Sequence, residues 1–353
     1  MGDVLVGTCS WTDRALLASG WYPRGHRDPE PRLRYYAEQF PVVEVDSGYY
    51  ALPSRRNSLL WSERTPPGFR FDVRAFSLLT GHPTRPAALP ADLRESLGAE
   101  LRRGAPAAVL DRVWERFAHA IEPLRAAGRL GTVLFQFPPW FAPGRVPEGA
   151  DGQGPGRTAL STSEQTSRRS TSVPSTSGST PLPRTSGSTS SVRASRSTSV
   201  RASGRLAERT PEQTLEECAE RTAGWPVSVE FRHPAWWQGE QADRTAALLA
   251  RLGFVAVGVD MAQGLESSVR PFVPVTSPDL AVVRFHGRSP AWGTGSKEDR
   301  FRYAYSEAEL RAWAPRLREA AEQVDELHVL FNNCCADAAV RAAETMRRVL
   351  DPT

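Results

Sequence analysis

Apolar residues along this chain follow two alternating rhythms: short, nearly continuous runs, and longer stretches with a 3.6-residue period. Runs rich in Val, Leu and Phe stand at residues 4–8, 42–45, 69–73, 132–135, 227–231, 255–259, 282–285 and 328–331. Such continuity is expected of parallel strands covered on their outer face, because neither face meets water. Helical stripes lie between most of them. Leu33, Tyr36, Ala37 and Phe40 share one face of 31–40, and Val109, Val113, Phe117, Ala120, Ile121 and Leu124 share another that Gly128 closes. Thr210-Pro-Glu-Gln reads as a capping box with proline at the first helical position. Ser306-Glu-Ala-Glu is a second box, opening the stripe Leu310, Trp313, Leu317, Ala321 and Val324. Residues 243–252, ending at Gly253, and 336–350 predict two more helices, whereas 262–278 reads as a loop.

Eight β units with interleaved helices predict an α/β fold, a single TIM-like (β/α)8 barrel. The competing architecture is an open doubly wound sheet, but no GxGxxG turn follows the first strand.

One stretch breaks the rhythm. Residues 158–203 hold 25 Ser or Thr in 46 positions, and TSGST (176–180, 185–189) and SVRAS (191–195, 199–203) each occur twice. No aromatic residue occurs between Ala142 and Gly224. Such a segment cannot bury enough apolar surface to offset the entropy of ordering it. The expectation is a disordered insertion at 142–204 inside one barrel, whose halves are 1–141 and 205–353.

Charge follows the same division. The chain carries a net +4, but residues 145–205 hold nine Arg against three acids, which leaves the rest at −2. A nucleic-acid partner is therefore not favoured for the folded part. No apolar run reaches the ~20 residues of a membrane span, and the opening MGDVLVGTCSWT has no leader-like pattern. Cys9, Cys218, Cys334 and Cys335 are too few and too irregular for a disulfide scaffold. A reducing, cytoplasmic setting is the expectation.

In such a barrel chemistry sits at the C-terminal ends of the strands. Those ends carry Trp11, Glu44, Asp46, Tyr50, Arg74, Gln136, Glu230, Arg232, Asp260, Arg284, His286, Arg288, Asn332 and Asn333. Side chains alternate along a strand, so Glu230 faces the same way as Arg232, and Arg284 the same way as His286. With Phe231 and Phe285 turned to the helices, the charged pairs point to the axis. Charges are rarely buried without partners, so this set reads either as a structural ion-pair network or as a ligand site. His286 is the first candidate for proton transfer. Among the many aromatics, Trp11 and Tyr50 are the candidate walls.

At these positions the sequence resembles the DUF72 family, also called YecE-like proteins. The matching segments are VGTCSWT (6–12), YYAEQFPVVEVDSGYYALPS (35–54), GFRFDVRAF (68–76), LGTVLFQFPP (130–139), VSVEFRHPAWW (227–237), VVRFHGR (282–288) and LFNN (330–333). The resemblance implies a TIM-like barrel and supplies no reaction. This chain departs from the family in having Asp46 where Asn is usual, Arg74 where Lys is usual, and Cys334 where His is frequent. Arginine does not deprotonate, so any lysine-based chemistry at 74 is lost.

Three functions follow as expectations. The first is an enzyme that binds an anionic, phosphate-bearing or polyhydroxylated small molecule. Arg74, Arg232, Arg284 and Arg288 would clamp the ligand, with His286 and Glu230 as acid–base pair. The second is a metal-dependent hydrolase or isomerase, including a nucleic-acid phosphodiesterase, with a divalent ion on Glu44, Glu230, Asp260 and His286. The third is a non-catalytic module for a small anion or a partner. No cofactor is predicted for the first or the third.

Overall fold

The computed structural model describes residues 2–95, 105–144, 209–292, 294–333 and 335–351. The expected insertion at 142–204 lies outside the described residues except for 142–144, and Cys334 also lies outside them.

Eight parallel strands close into a barrel in chain order: β1 (Asp3–Thr8), β2 (Val42–Val45), β3 (Arg70–Arg74), β4 (Leu130–Phe137), β5 (Val227–Phe231), β6 (Phe254–Asp260), β7 (Leu280–Phe285) and β8 (Glu326–Phe331). β8 returns to pair with β1, so strands from both sides of residues 145–208 belong to one closed sheet. Each of the apolar runs overlaps one of these strands, with 69–73 displaced by one residue from β3, as the TIM-like reading requires.

The first half carries helices α1 (Arg14–Ala18), α2 (Pro29–Gln39), α3 (Arg55–Glu63), α4 (Ala91–Glu95) and α5 (Ala107–Ala126). The second carries α6 (Pro211–Arg221), α7 (Gly239–Arg251), α8 (Lys297–Phe301), α9 (Glu307–Ala321) and α10 (Ala338–Leu350). Both capping boxes form, at Thr210 with Gln213 and at Ser306 with Glu309. The helix α3 has no counterpart in the apolar periodicity. Its start is set instead by Ser54, whose hydroxyl accepts from the Asn57 N–H. The loop reading of 262–278 holds, and its close approach explains Gly258: a Cβ there would lie 2.6 Å from the Phe272 carbonyl oxygen.

Register separates the two faces of the sheet. Thr8 pairs with Phe331 and faces outward, where its hydroxyl lies 2.9 Å from the Tyr36 hydroxyl of α2. Phe71, Phe135, Phe231, Phe285 and Phe331 are buried on strands, among helix residues such as Tyr36, Phe117 and Trp313. This ring of large apolar side chains is the core, each contributing roughly 2–3 kcal/mol by burial. The axis is different. Barrel interiors are normally filled with branched apolar residues, but here β3 and β8 turn Asp72 and His328 inward, and β2, β5 and β7 turn in Glu44, Glu230 and Arg284.

Candidate ligand site at the barrel mouth

Arg284 is the hub of the upper axis and is fully buried. Its Nε and Nη2 donate to the two oxygens of Glu44 at 2.8 and 2.7 Å, and Nη1 donates to Glu230 Oε2 at 2.5 Å. Cys9 lies alongside, its thiol donating to Glu44 Oε2 at 3.4 Å, and burial pushes that thiol well above the ordinary cysteine range. Cys9 is therefore a protonated thiol rather than a nucleophile.

Glu230 is the next link. Besides Arg284 it accepts from Gln136 Nε2 at 2.5 Å, from Arg232 Nη1 at 3.1 Å and from His286 Nε2 at 3.0 Å, all at Oε1. Burial alone would raise its pKa, but His286, Arg284 and Arg232 outweigh it and hold the carboxyl well below the usual carboxylate range. His286 has no proton-rich role here. Asn332 Nδ2 lies 3.1 Å from its Nδ1 and can only donate, so Nδ1 accepts and Nε2 carries the hydrogen given to Glu230. Burial lowers the imidazole pKa to about 4, which leaves it neutral at physiological pH.

Above this layer the mouth opens. Arg74 pairs with Asp46 at 2.5 Å, donates to Gln136 Oε1 and lies 4.0 Å over the Tyr49 ring. Asp46 and Arg74 thus form one structural unit, an aspartate partnered by an arginine. Arg232 lies over Trp292 at 5.3 Å and is 16% exposed. Among the described residues its hydrogen bonds are confined to Nη1, and its Nε and Nη2 are not among the buried atoms that lack a partner. Burial lowers the Arg232 pKa, and Arg284 and Arg74 add to that against the pull of Glu230. Tyr50, 48% exposed, and Trp140, 64% exposed, stand at the rim.

The structure does not bring all the candidates together. Val259 is level with Arg284 and Asp260 with Phe285, so Asp260 turns outward, to the helices. There it accepts from Trp313 Nε1 at 2.5 Å, from the Tyr305 hydroxyl at 2.8 Å and from Arg288 Nε at 2.8 Å. Arg288 also reaches Glu309 at 3.3 Å, so it belongs to this outer cluster and not to an axial clamp. Asn333 points the same way, its Nδ2 donating to the Tyr303 carbonyl at 2.8 Å. Trp11 is buried, edge-on to Trp61, and lines a separate cleft of about 580 Å³ with Leu33, Ser47, Asn57 and Arg64. Arg284 lies beneath the opening, spent on two carboxylates.

Two histidines escaped the sequence reading. His328 sits low in the barrel with Nδ1 2.8 Å from Asp72 and Nε2 2.7 Å from Glu326. His82 follows β3 at the mouth, its ring 5.2 Å from Tyr49 and 6.0 Å from Trp140. The first was visible in principle as a polar residue at even spacing from Glu326 within a strand. The second lies in an irregular turn and carries no periodic signal.

A divalent ion on Glu44, Glu230, Asp260 and His286 does not fit this arrangement. The Arg284 guanidinium already bridges the two glutamates, and Asp260 faces away. Among the described residues no cluster of three or more His, Cys, Asp or Glu could hold a metal, and no helix is long and apolar enough to cross a membrane.

Comparison with known proteins places this geometry in a family. The family model described as "Protein of unknown function DUF72" matches residues 5–148 and 203–353. The UPF0759 protein YunF of Bacillus subtilis (strain 168) is 23% identical over 354 residues, covering 99% of this chain and 95% of that protein. A DUF72 family protein from Enterococcus faecalis V583 superimposes with a TM-score of 0.66 at 19% identity, covering 98% of this chain and 95% of that one. A DUF72 family protein from Thermotoga maritima MSB8 gives 0.64 at 24% identity, covering 99% of both chains. With two matched segments that together take in most of β1 and all of β2 to β8, the chain belongs to the DUF72 family.

Proposed function

We propose that this protein binds a small organic anion at the C-terminal mouth of the barrel and acts on it by proton transfer. The observation that carries the reading is Arg232. It is a largely buried guanidinium with two other guanidiniums nearby, and its Nε and Nη2 are unmatched by protein among the described residues. A carboxylate or phosphate oxygen on those donors would restore the lost balance. Arg74 supplies the neighbouring charge, Gln136 and Glu230 hold both arginines in place, and Trp292 and Tyr49 form the walls.

Three carboxylates (Glu44, Asp46, Glu230) face three guanidiniums (Arg74, Arg232, Arg284), so the mouth suits a weakly charged ligand better than a polyanion. That balance speaks against nucleic acid. Glu230 is a positioning residue in this reading: ionised and saturated with donors, it has no proton to give. The neutral imidazole of His286 is the better proton-transfer group, reached when ligand displaces Asn332 from Nδ1. A reducing cytoplasm is the proposed setting, in keeping with the free thiols of Cys9, Cys218 and Cys335.

Calorimetric titration of the full chain with short carboxylates and phosphate monoesters tests the reading. Saturable binding that falls at least tenfold in Arg232→Ala is expected. A wild-type protein that binds neither class, or an Arg232→Ala variant that binds as well, would refute it.

A further inference from the structure

Two arginines read only half of a ligand, because they donate and cannot accept. The mouth also holds an acceptor. The Thr80 hydroxyl donates its one hydrogen to the Ser77 carbonyl at 3.2 Å, so the oxygen is left to accept from His82 Nδ1 at 2.8 Å. Both bonds are satisfied at once only in the tautomer with the hydrogen on Nδ1 and the lone pair on Nε2. Among the described residues Nε2 has no protein partner, and it is not among the buried unsatisfied atoms, so solvent reaches it. The turn that presents it is held by the His82 N–H on the Ser77 carbonyl at 3.1 Å and by Gly81 at φ 72°, a conformation natural to glycine.

The placement of the ring relates it to the anion donors. Tyr49 carries Arg74 on its face at 4.0 Å and meets the His82 ring edge-on at 5.2 Å. Trp140 bounds the other side at 6.0 Å. Arg74 and Arg232 are close enough that their charges, after burial itself, help lower the imidazole pKa to about 4. His82 therefore stays an acceptor throughout the physiological range, beside two fixed positive charges.

We infer that the ligand is a hydroxylated organic anion, whose charged oxygens meet Arg232 and Arg74 while a neighbouring hydroxyl donates to His82 Nε2. The inference rests on the anion-site reading above and narrows its ligand class. Sugar acids, 2-hydroxy acids and sugar phosphates share this chemistry; simple carboxylates and inorganic phosphate lack the second half. A protein site that leaves a polar group unmatched discriminates against the ligand that lacks its partner.

The test uses matched probes on the full chain: lactate against propionate, and glycerol 3-phosphate against methyl phosphate. The hydroxylated member of each pair should bind about three- to tenfold more tightly, the range of one net hydrogen bond. His82→Phe should abolish that preference and leave the affinity for propionate and methyl phosphate as it was. In the wild-type protein, lactate but not propionate should shift the His82 Nε2 resonance in a nitrogen-15 imidazole spectrum, a readout independent of any variant's folding. Anion binding that depends on Arg232 but shows no hydroxyl preference, or a preference that survives His82→Phe, overturns this inference alone. Absence of anion binding overturns the reading beneath it as well.

Discussion

Titrating the lower barrel offers the sharpest check on the physics, because His328 is fully buried between two carboxylates. Burial disfavours its charge, but Asp72 and Glu326 outweigh burial and raise its pKa from 6.5 to about 9. At 1.36 kcal/mol per pH unit, that shift is worth about 3 kcal/mol of folding free energy. The sign follows from the raised folded value: the contribution is complete below pH 6.5 and is lost as pH climbs through 9. His286 works oppositely, since its pKa is lowered to about 4, so acidification from 6.5 towards 4 destabilises the fold. Urea unfolding should therefore give a stability maximum near pH 6.5 and a decline of about 3 kcal/mol by pH 9.5. His328→Gln removes the titrating group. It should unfold more easily near pH 6.5, by about 3–5 kcal/mol for the uncompensated Asp72, a difference that shrinks towards pH 9.5 because the variant loses most of the alkaline slope. A wild-type profile flat between pH 6.5 and 9.5, or a variant that keeps the full slope, would refute the argument.

Arg284→Met should cost about 3–5 kcal/mol, because the buried Glu44 would lose its ion-pair partner and Glu230 would keep only Arg232. Restoring part of that loss by adding Glu44→Gln in the same chain would show that the unpaired Glu44 charge is the cause, and a single variant as stable as wild type would contradict it. Asp260→Ala should lower stability by about 2–4 kcal/mol, since Trp313, Tyr305 and Arg288 would lose their shared acceptor. Calorimetry on the same variant should show anion binding unchanged, and a loss of binding would mean that the outer cluster serves the mouth.

The strands were legible because both of their faces are shielded from water, which gives unbroken apolar runs such as 254–259. The capping boxes at Thr210 and Ser306 were legible because their chemistry is local. Helix α3 was not, since Leu59, Leu60 and Trp61 form a cluster rather than a stripe and the start depends on Ser54. At the site, the even spacing of Arg284 and His286, and the place of Glu230 on β5, put these side chains in contact on the axis. Asp260 shows what that reading omits. Val255, Val257 and Val259 take the inward positions of β6, so the polar residue that follows is outward however near it stands to the rim. The same parity, applied to Glu326 and His328, would have found the lower network. His82 needed the folded turn, because its tautomer depends on Thr80 and Ser77 and its ring neighbours, Tyr49 and Trp140, follow two other strands.

The charged axis is not explained by stability alone. Replacing buried ion pairs with packed apolar residues is often neutral or stabilising by about 1–4 kcal/mol, so a barrel lined with valine and leucine would fold at least as well. What the Glu44–Arg284–Glu230 chain provides is placement. Arg284 fixes Glu230 from below at 2.5 Å, and Glu230 then engages one nitrogen of Arg232, Gln136 and His286 from above. Each bond removes a degree of freedom that a ligand would otherwise have to freeze on binding, which is the cost that limits affinity in flexible sites. The donors Arg232 leaves to solvent and the lone pair His82 leaves at Nε2 are the ends of this construction that protein atoms do not complete. A rigid frame that ends in unmatched donors on one side and an unmatched acceptor on the other is expected where a small molecule supplies the missing groups.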